Sequence, residues 1–209
     1  MNMYPINLKL EGRPCLVVGG GAVGERKIAG LLECGAAVRA VAPEATGTVA
    51  GWAAAGRITL ARREFAPEDL SGVFLVIAAA DDQAVNERVA ALAAERSLLV
   101  NVADRPEYCD FYLPAVVRRG SLCISVSTGG VSPGLAARLR DKVAALCGPE
   151  YEEYLNLLAA YRAEAKTHRP DEAERREFLL RLTGEEALRR LEEGGISALR
   201  AYLAEEWRR

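Results

Sequence analysis

A short apolar run, Cys15-Leu16-Val17-Val18, ends in Gly19-Gly20-Gly21 and passes at once into a helical pattern; no other stretch limits the fold of this chain as tightly. Gly19, Gly21 and Gly24 satisfy G-x-G-x-x-G, a pattern that is weak alone and informative when it lies between a strand and a helix. In that setting Gly19 permits the tight turn, Gly21 lets the backbone come close to a pyrophosphate, and Gly24 lets helix and strand pack together. The helix start offers free N–H groups and a favourable dipole to the anion, so the three glycines are expected to form a dinucleotide contact.

The alternation of strand-like and helix-like runs continues to about residue 113. Ile28, Leu31 and Leu32 share a helix face that stops at Gly35. Val38–Ala42 reads as a second strand, Thr46–Ala55 as a helix, and Ile58–Ala61 and Val73–Ala78 as further strands. Val85, Val89 and Leu92 lie at helical spacing behind a cap at Asp81 or Asp82, and Leu98–Val102 is the next strand. Such a βαβ series predicts an α/β fold with a Rossmann-type parallel sheet, an NAD-binding domain over residues 1–113.

The character changes at Pro114. Ala115–Arg118 and Ser121–Ser127 read as two strands joined at Arg119-Gly120, with Leu122, Ile124 and Val126 on one buried face. Ser132 and Pro133 then signal a helix start. Residues 114–147 are expected to form a dimerisation segment of hairpin plus helix, and residues 148–209 a helical C-terminal region. Its apolar stripes are Tyr151, Tyr154, Leu155 and Leu158; Phe178, Leu179 and Leu182; and Ile196, Leu199 and Leu203. Gly148-Pro149, Arg169-Pro170, Thr183-Gly184 and Gly194-Gly195 punctuate them, and Trp207-Arg208-Arg209 reads as a frayed end. A hairpin with short helices makes a poor core alone, which predicts a symmetric homodimer.

Composition excludes several classes. Half of the 209 residues are hydrophobic, yet no apolar run reaches the roughly 18–20 residues of a membrane span. Met1–Leu10, with Ile6, Leu8 and Leu10 alternating against Asn7 and Lys9, reads as a strand and not as a signal peptide, so a cytoplasmic protein is expected. A net charge of −2 argues against a nucleic-acid partner. Cys15, Cys34, Cys109, Cys123 and Cys147 are odd in number and widely spaced, with no zinc or disulfide pattern. His168, the one histidine, lies in a polar stretch that reads as surface, so no metal site is expected.

Three further stretches carry chemistry. Glu44, after Pro43 at the end of the second strand, has the spacing of the acidic residue that holds an adenosine ribose; a solvated loop glutamate fits as well. The absence of arginine over Pro43–Gly47 favours NAD over NADP. Ala78-Ala79-Ala80-Asp81 falls on the nicotinamide side by position. Asp104 follows the strand Leu98–Val102, beyond whose carboxyl end ligands bind. It is placed either as a general base that takes a proton during hydride transfer or as the cap of a turn before Pro106. Ser127-Thr128-Gly129-Gly130 before Ser132 fits either an ordinary capped helix or a carboxylate site; Arg118 and Arg119 precede it and Arg138, Arg140 and Lys142 follow.

Together these stretches resemble the dehydrogenase part of siroheme synthases and the stand-alone precorrin-2 dehydrogenases. The matching pieces are Tyr4-Pro5-Ile6, Leu16 to Gly21 with Val23, Glu25-Arg26-Lys27, and Ala78 to Asp82. Asn101 to Asp104, Cys109-Asp110-Phe111 with Pro114-Ala115, and Ser127 to Gly130 through Ser132-Pro133 and Leu135-Ala136 to Arg138 complete them. The resemblance covers about residues 1–150. It implies NAD-dependent oxidation of precorrin-2, a tetrapyrrole, to sirohydrochlorin in a homodimer, with iron insertion in some members. It places the key aspartate on Asp104 and dinucleotide contacts around Ala22-Val23 and Pro43-Glu44. A serine that is regulatory in some relatives is Thr128 here. The many carboxylates of such a substrate suit Arg105, Arg118, Arg119, Thr128, Ser132 and Arg138 as contacts. The competing reading is a dinucleotide-sensing module without catalysis, which would need neither Asp104 at the sheet rim nor the glycine-hydroxyl loop.

Overall fold

The computed structural model describes residues 3–209, and the chain divides into two compact units, Met1–Leu113 and Pro114–Arg209. In the first unit, strands β1 (Pro14–Gly20), β2 (Ala37–Ala45), β3 (Thr59–Ala61), β4 (Leu75–Ala78) and β5 (Leu99–Val102) pair in parallel in the order β3-β2-β1-β4-β5. Helices α1 (Ala22–Glu33), α2 (Gly47–Ala54) and α3 (Gln83–Glu95) connect them. This is the α/β parallel sheet that the sequence pattern predicts.

The sheet is buried on both faces, which is why its strands are runs of apolar residues without polar alternation. Leu16 and Val18 of β1 pack with Val41, Val76 and Val100 against Val89, Ala90 and Ala93 of α3. Their neighbours Cys15 and Val17 point the other way, with Val38, Ala40 and Ile77, onto Ile28 and Leu31 of α1 and Val49 of α2. Local chemistry sets the helix ends. Thr46 Oγ1 accepts from the Val49 amide and Asp82 from the Ala84 amide, and Gly35, with a φ of 71°, turns the chain out of α1.

Two expectations in this unit need correction. The expected strand over Met1–Leu10 is absent: residues 3–10 have no regular structure, with Tyr4 and Ile6 exposed, and Met1 and Asn2 lie outside the described residues. Alternation states which faces a segment would present, but a strand also needs a backbone partner, and this segment pairs with none of the described strands. The second strand is longer than Val38–Ala42, because Ala45 pairs in register with Gly20 after a bulge.

In the second unit, β6 (Ala115–Arg119) and β7 (Leu122–Val126) form an antiparallel hairpin. Its turn is Gly120-Ser121, one residue later than Arg119-Gly120, and Gly120 supplies the positive φ of 55° that a two-residue turn demands. Leu122, Ile124 and Val126 are half-buried while Cys123 and Ser125 face out. Four helices follow: α4 (Pro133–Leu146), α5 (Glu150–His168), α6 (Glu172–Arg181) and α7 (Glu185–Arg208), the last kinked at Gly195 as the Gly194-Gly195 pair predicts.

The helical end has a core of its own, contrary to the expectation of a poor one. Tyr154, Ala165, Phe178, Leu182, Ala187, Leu191, Leu199 and Leu203 are buried together, whereas Leu155 lies outside the cluster. The Tyr154 hydroxyl donates to the Leu182 carbonyl at 2.6 Å, and burial pushes its phenol up to about 12. Nor does the C-terminus fray. The Trp207 ring lies 5.5 Å from that of Phe178 and 5.7 Å from that of Tyr161, and its carbonyl accepts from Arg169 at 3.1 Å. Buried Glu206 accepts from Arg181 at 3.0 Å and Arg209 at 2.7 Å. His168 is exposed, as its polar setting predicts.

Candidate functional site

β1 delivers Gly19 to the carboxyl rim of the sheet with a φ of 119°. A Cβ there would collide with the Ala79 carbonyl, so the turn closes against the end of β4 only with glycine. At Gly24 a side chain would strike the Gly19 carbonyl and lever α1 off β1. Gly21 differs: a Cβ there would meet only Asp81 Oδ1, 4.0 Å away, so protein packing leaves the space above it open. Gly21 is also the N-cap of α1 and places no side chain on the first N–H groups, whereas Thr46 caps α2 and Asp82 caps α3. In this unit, α1 is therefore the α-helix whose first donors are left to an outside anion. The residues present fit a pyrophosphate: the amides of Ala22 and Val23, at the start of α1, have no side-chain cap.

Neighbouring loops are fastened to that turn. Pro43 and Glu44 sit exposed at the end of β2, beside Gly20 through the Ala45 register. The Thr46 amide donates to the Gly20 carbonyl at 3.0 Å, and Thr46 Oγ1 donates to Glu25 of α1 at 2.5 Å. Beyond β4, buried Asn86 grips Ala80 on both sides: its Oδ1 accepts from the Ala80 amide at 2.9 Å and its Nδ2 donates to the Ala80 carbonyl at 2.8 Å.

Asp104 lies two strands from β1 on the same rim, about 10 Å across a sheet with roughly 4.8 Å between strands. It is exposed and its φ is 58°, a left-handed conformation that costs a non-glycine residue about 1–2 kcal/mol. The surrounding loop enforces it. Cys109 Sγ accepts from the Val102 amide at 3.1 Å and lies 3.3 Å from the Val102 carbonyl and 3.4 Å from that of Arg105. Asp110 accepts from the Val100 amide at 3.0 Å, and its own amide donates to the Val100 carbonyl at 2.9 Å. Arg105 pairs with Glu87 of α3 at 2.6 Å and lies over the Tyr108 ring. A carboxylate held this way at a ligand-binding rim is equipped to take a proton.

In the second unit, Thr128 and Ser132 close a loop: Thr128 Oγ1 donates to the Ser132 carbonyl at 3.0 Å and accepts its amide at 3.1 Å. Ser132 Oγ caps α4 by accepting from the Leu135 amide at 3.2 Å. Arg138 is exposed on the second turn of that helix. Arg118 and Arg119 are not brought to this end. They sit beside the hairpin turn, and Arg119 donates from Nε to the Cys147 carbonyl at 3.0 Å, where α4 finishes. Arg119 thus serves the carboxyl end of a helix about 20 Å long whose start carries Ser132.

Four structural residues were not singled out in the sequence reading. Lys27 and Cys109 fall inside matched segments without a role of their own, and Asn86 is a polar residue on an otherwise apolar helical face, a readable signal. Thr46, expected only within a helix, also latches α2 to α1. Among the described residues, no group of three or more His, Cys, Asp and Glu is arranged to hold a metal ion, and no helix is long and apolar enough to cross a membrane.

Residues 6–115 match the family model described as putative NAD(P)-binding, and residues 119–146 match that of the sirohaem biosynthesis protein central segment. A siroheme synthase of Methylobacillus flagellatus is 39% identical over 208 residues, covering 98% of this chain and 44% of that protein. One from Nitrosococcus oceani is 42% identical over 166 residues, covering 79% of this chain and 36% of its own length. The chain thus spans less than half the length of the curated relatives it matches. A solved structure of SirC, a precorrin-2 dehydrogenase, superposes with a TM-score of 0.82 at 29% identity, over 99% of this chain and 100% of that one. The chain belongs to the putative NAD(P)-binding family, in the line it shares with siroheme synthases and SirC.

Proposed function

We propose that this chain is a cytoplasmic NAD-dependent dehydrogenase that oxidises precorrin-2, a polyanionic tetrapyrrole, to sirohydrochlorin. The observation that carries the reading is the pairing, on one sheet rim, of an uncapped α1 start at Gly21 with a bolted, left-handed Asp104. The likeness to SirC and to siroheme synthases supports the choice of substrate.

NAD, when bound, supplies the hydride acceptor. The amides of Ala22 and Val23 hold its pyrophosphate, and Glu44 accepts hydrogen bonds from its adenosine ribose. Asp104 takes the proton that the macrocycle releases as it loses a hydride, so the substrate gives up two hydrogens in all. The glycine-hydroxyl loop of Thr128 and Ser132, with Arg138 on α4, receives carboxylates of the macrocycle. Arg105 is proposed as a weaker contributor, since it is already shared with Glu87, and Arg118 and Arg119, beside the hairpin turn, are left out of the contact.

A symmetric homodimer forms part of the proposal, because Val131 and, on α4, Leu135, Leu139 and Leu146 are exposed. The test is to mix the chain with precorrin-2 and NAD and follow NADH absorbance with the visible spectrum. Stoichiometric NADH and a sirohydrochlorin spectrum are expected; unchanged spectra with folded protein would overturn the reading. Ferrous ion added to a separate sample reads metal insertion as a distinct spectral change.

A further inference from the structure

Lys27 lies on α1, six residues past its N-cap, and its Nζ donates to Asn101 Oδ1 at 3.4 Å. Asn101 is buried at the end of β5, and its Nδ2 donates to the Phe111 carbonyl at 2.9 Å and lies 3.5 Å from Cys109 Sγ. Those contacts fix which way the amide points, so its oxygen is presented to Lys27. Cys109 in turn holds Val102 and the Arg105 carbonyl on either side of Asp104. One chain of contacts therefore runs from the helix that starts on the glycine turn to the loop that forces Asp104 into its left-handed conformation.

We infer that Lys27 is a positioning residue for the dehydrogenation, its ammonium tying α1 to the Asp104 loop through Asn101. This rests on Asp104 being the base. A solvated lysine on a helix surface would need neither burial nor a fixed amide partner. Here burial pulls the ammonium below the ordinary lysine range, Arg26 on the same helix adds to that, and Cys109 and Asp104 from the loop after β5 oppose it. The charge on the tie is thus present below that lowered value and is lost as pH rises through it, which weakens the contact to that of a neutral amine.

The experiment compares wild type, Lys27→Arg, Lys27→Met and Asp104→Asn, reading kcat, KM for NAD, and the pH dependence of kcat. Wild type is expected to show an alkaline loss of kcat that Lys27→Arg moves upward, because a guanidinium stays charged. Lys27→Met should lower kcat by about tenfold or more at neutral pH, the scale of a reacting group slightly misplaced, with KM for NAD little changed and no alkaline limb of this origin. An alkaline limb in the same place in wild type and Lys27→Arg, or wild-type kcat in Lys27→Met, overturns the inference. If Lys27→Met does not fold, the position of the limb in Lys27→Arg decides alone. Full activity in Asp104→Asn would instead remove the reading of Asp104 as base.

Discussion

Asp104 occupies a backbone conformation that an L-residue with a Cβ rarely adopts, and the loop around it is hydrogen-bonded at both ends. Strain of this kind persists where the surroundings over-determine it, and it commonly accompanies function. Substituting Asp104→Asn keeps the shape and removes the base, so kcat of the dehydrogenase is expected to fall at least ~10²-fold while NAD affinity stays within about twofold. Steady-state kinetics with a separate NAD titration separates the two. At Gly21 the expectation reverses. Gly21→Asp fits the protein's own packing, because only Asp81 Oδ1 approaches the added Cβ, at 4.0 Å. It places a negative charge where a pyrophosphate would lie, so NAD binding by calorimetry should vanish while the melting temperature changes little. Unaltered binding would move the cofactor site elsewhere.

At the scale of elements, legibility followed whether a feature depends on near neighbours or distant ones. The β1–α1 junction, the cap at Asp82 and the Gly195 kink are local chemistry and could be read directly. Residues 3–10 could not, because alternation does not say whether a partner strand exists, and Trp207 could not, because Tyr161 and Phe178 are far away in sequence. The site was legible in the same proportion. Gly19 to Gly24 and Asp104 stand at the ends of recognisable strands, whereas the Lys27, Asn86 and Cys109 contacts exist only once the sheet has formed. The connection between β3 and β4 makes a further case. Asp69 is buried there, accepts a bidentate pair from Arg63 at 2.7 and 2.8 Å and the Ala66 amide at 2.9 Å, and its backbone carbonyl accepts from Arg39 of β2. The Arg63 guanidinium holds the Asp69 carboxyl below the usual carboxylate range. A folded value below the unfolded one means stabilisation that is complete above the unfolded range near ~4 and lost as pH falls through the folded value. Asp69→Asn should therefore be less stable than wild type in urea at pH 7, with the difference shrinking steadily below about pH 4. A gap that persists unchanged into acid would show that packing, not charge, is what the substitution disturbs.

For the whole molecule, the second unit carries an asymmetry between its two ends. The α5–α7 end encloses Phe178, Leu182, Leu199 and Leu203 completely, while the hairpin end leaves apolar side chains in solvent. On α4 Leu146 is 77% exposed and Leu135 50%, with Leu139 on the same side, and Val131 in the loop before it is 88% exposed; so dense an exposed apolar patch is unusual for a monomer. The hairpin beside it is a two-stranded ribbon, a unit that is marginal on its own and presents unpaired backbone along both outer edges. The proposed homodimer would answer both needs with one self-complementary contact, each copy bringing the same stripe and ribbon to a twofold axis. Light scattering on a sizing column at micromolar concentration should return twice the chain mass. The double variant Leu135→Glu, Leu139→Glu replaces exposed side chains only, so its fold should survive while the measured mass halves, because four carboxylates meeting at the axis repel and cannot be desolvated cheaply. A wild-type protein that runs at the single-chain mass across that concentration range would overturn the homodimer and leave the stripe on α4 to be explained by some other partner.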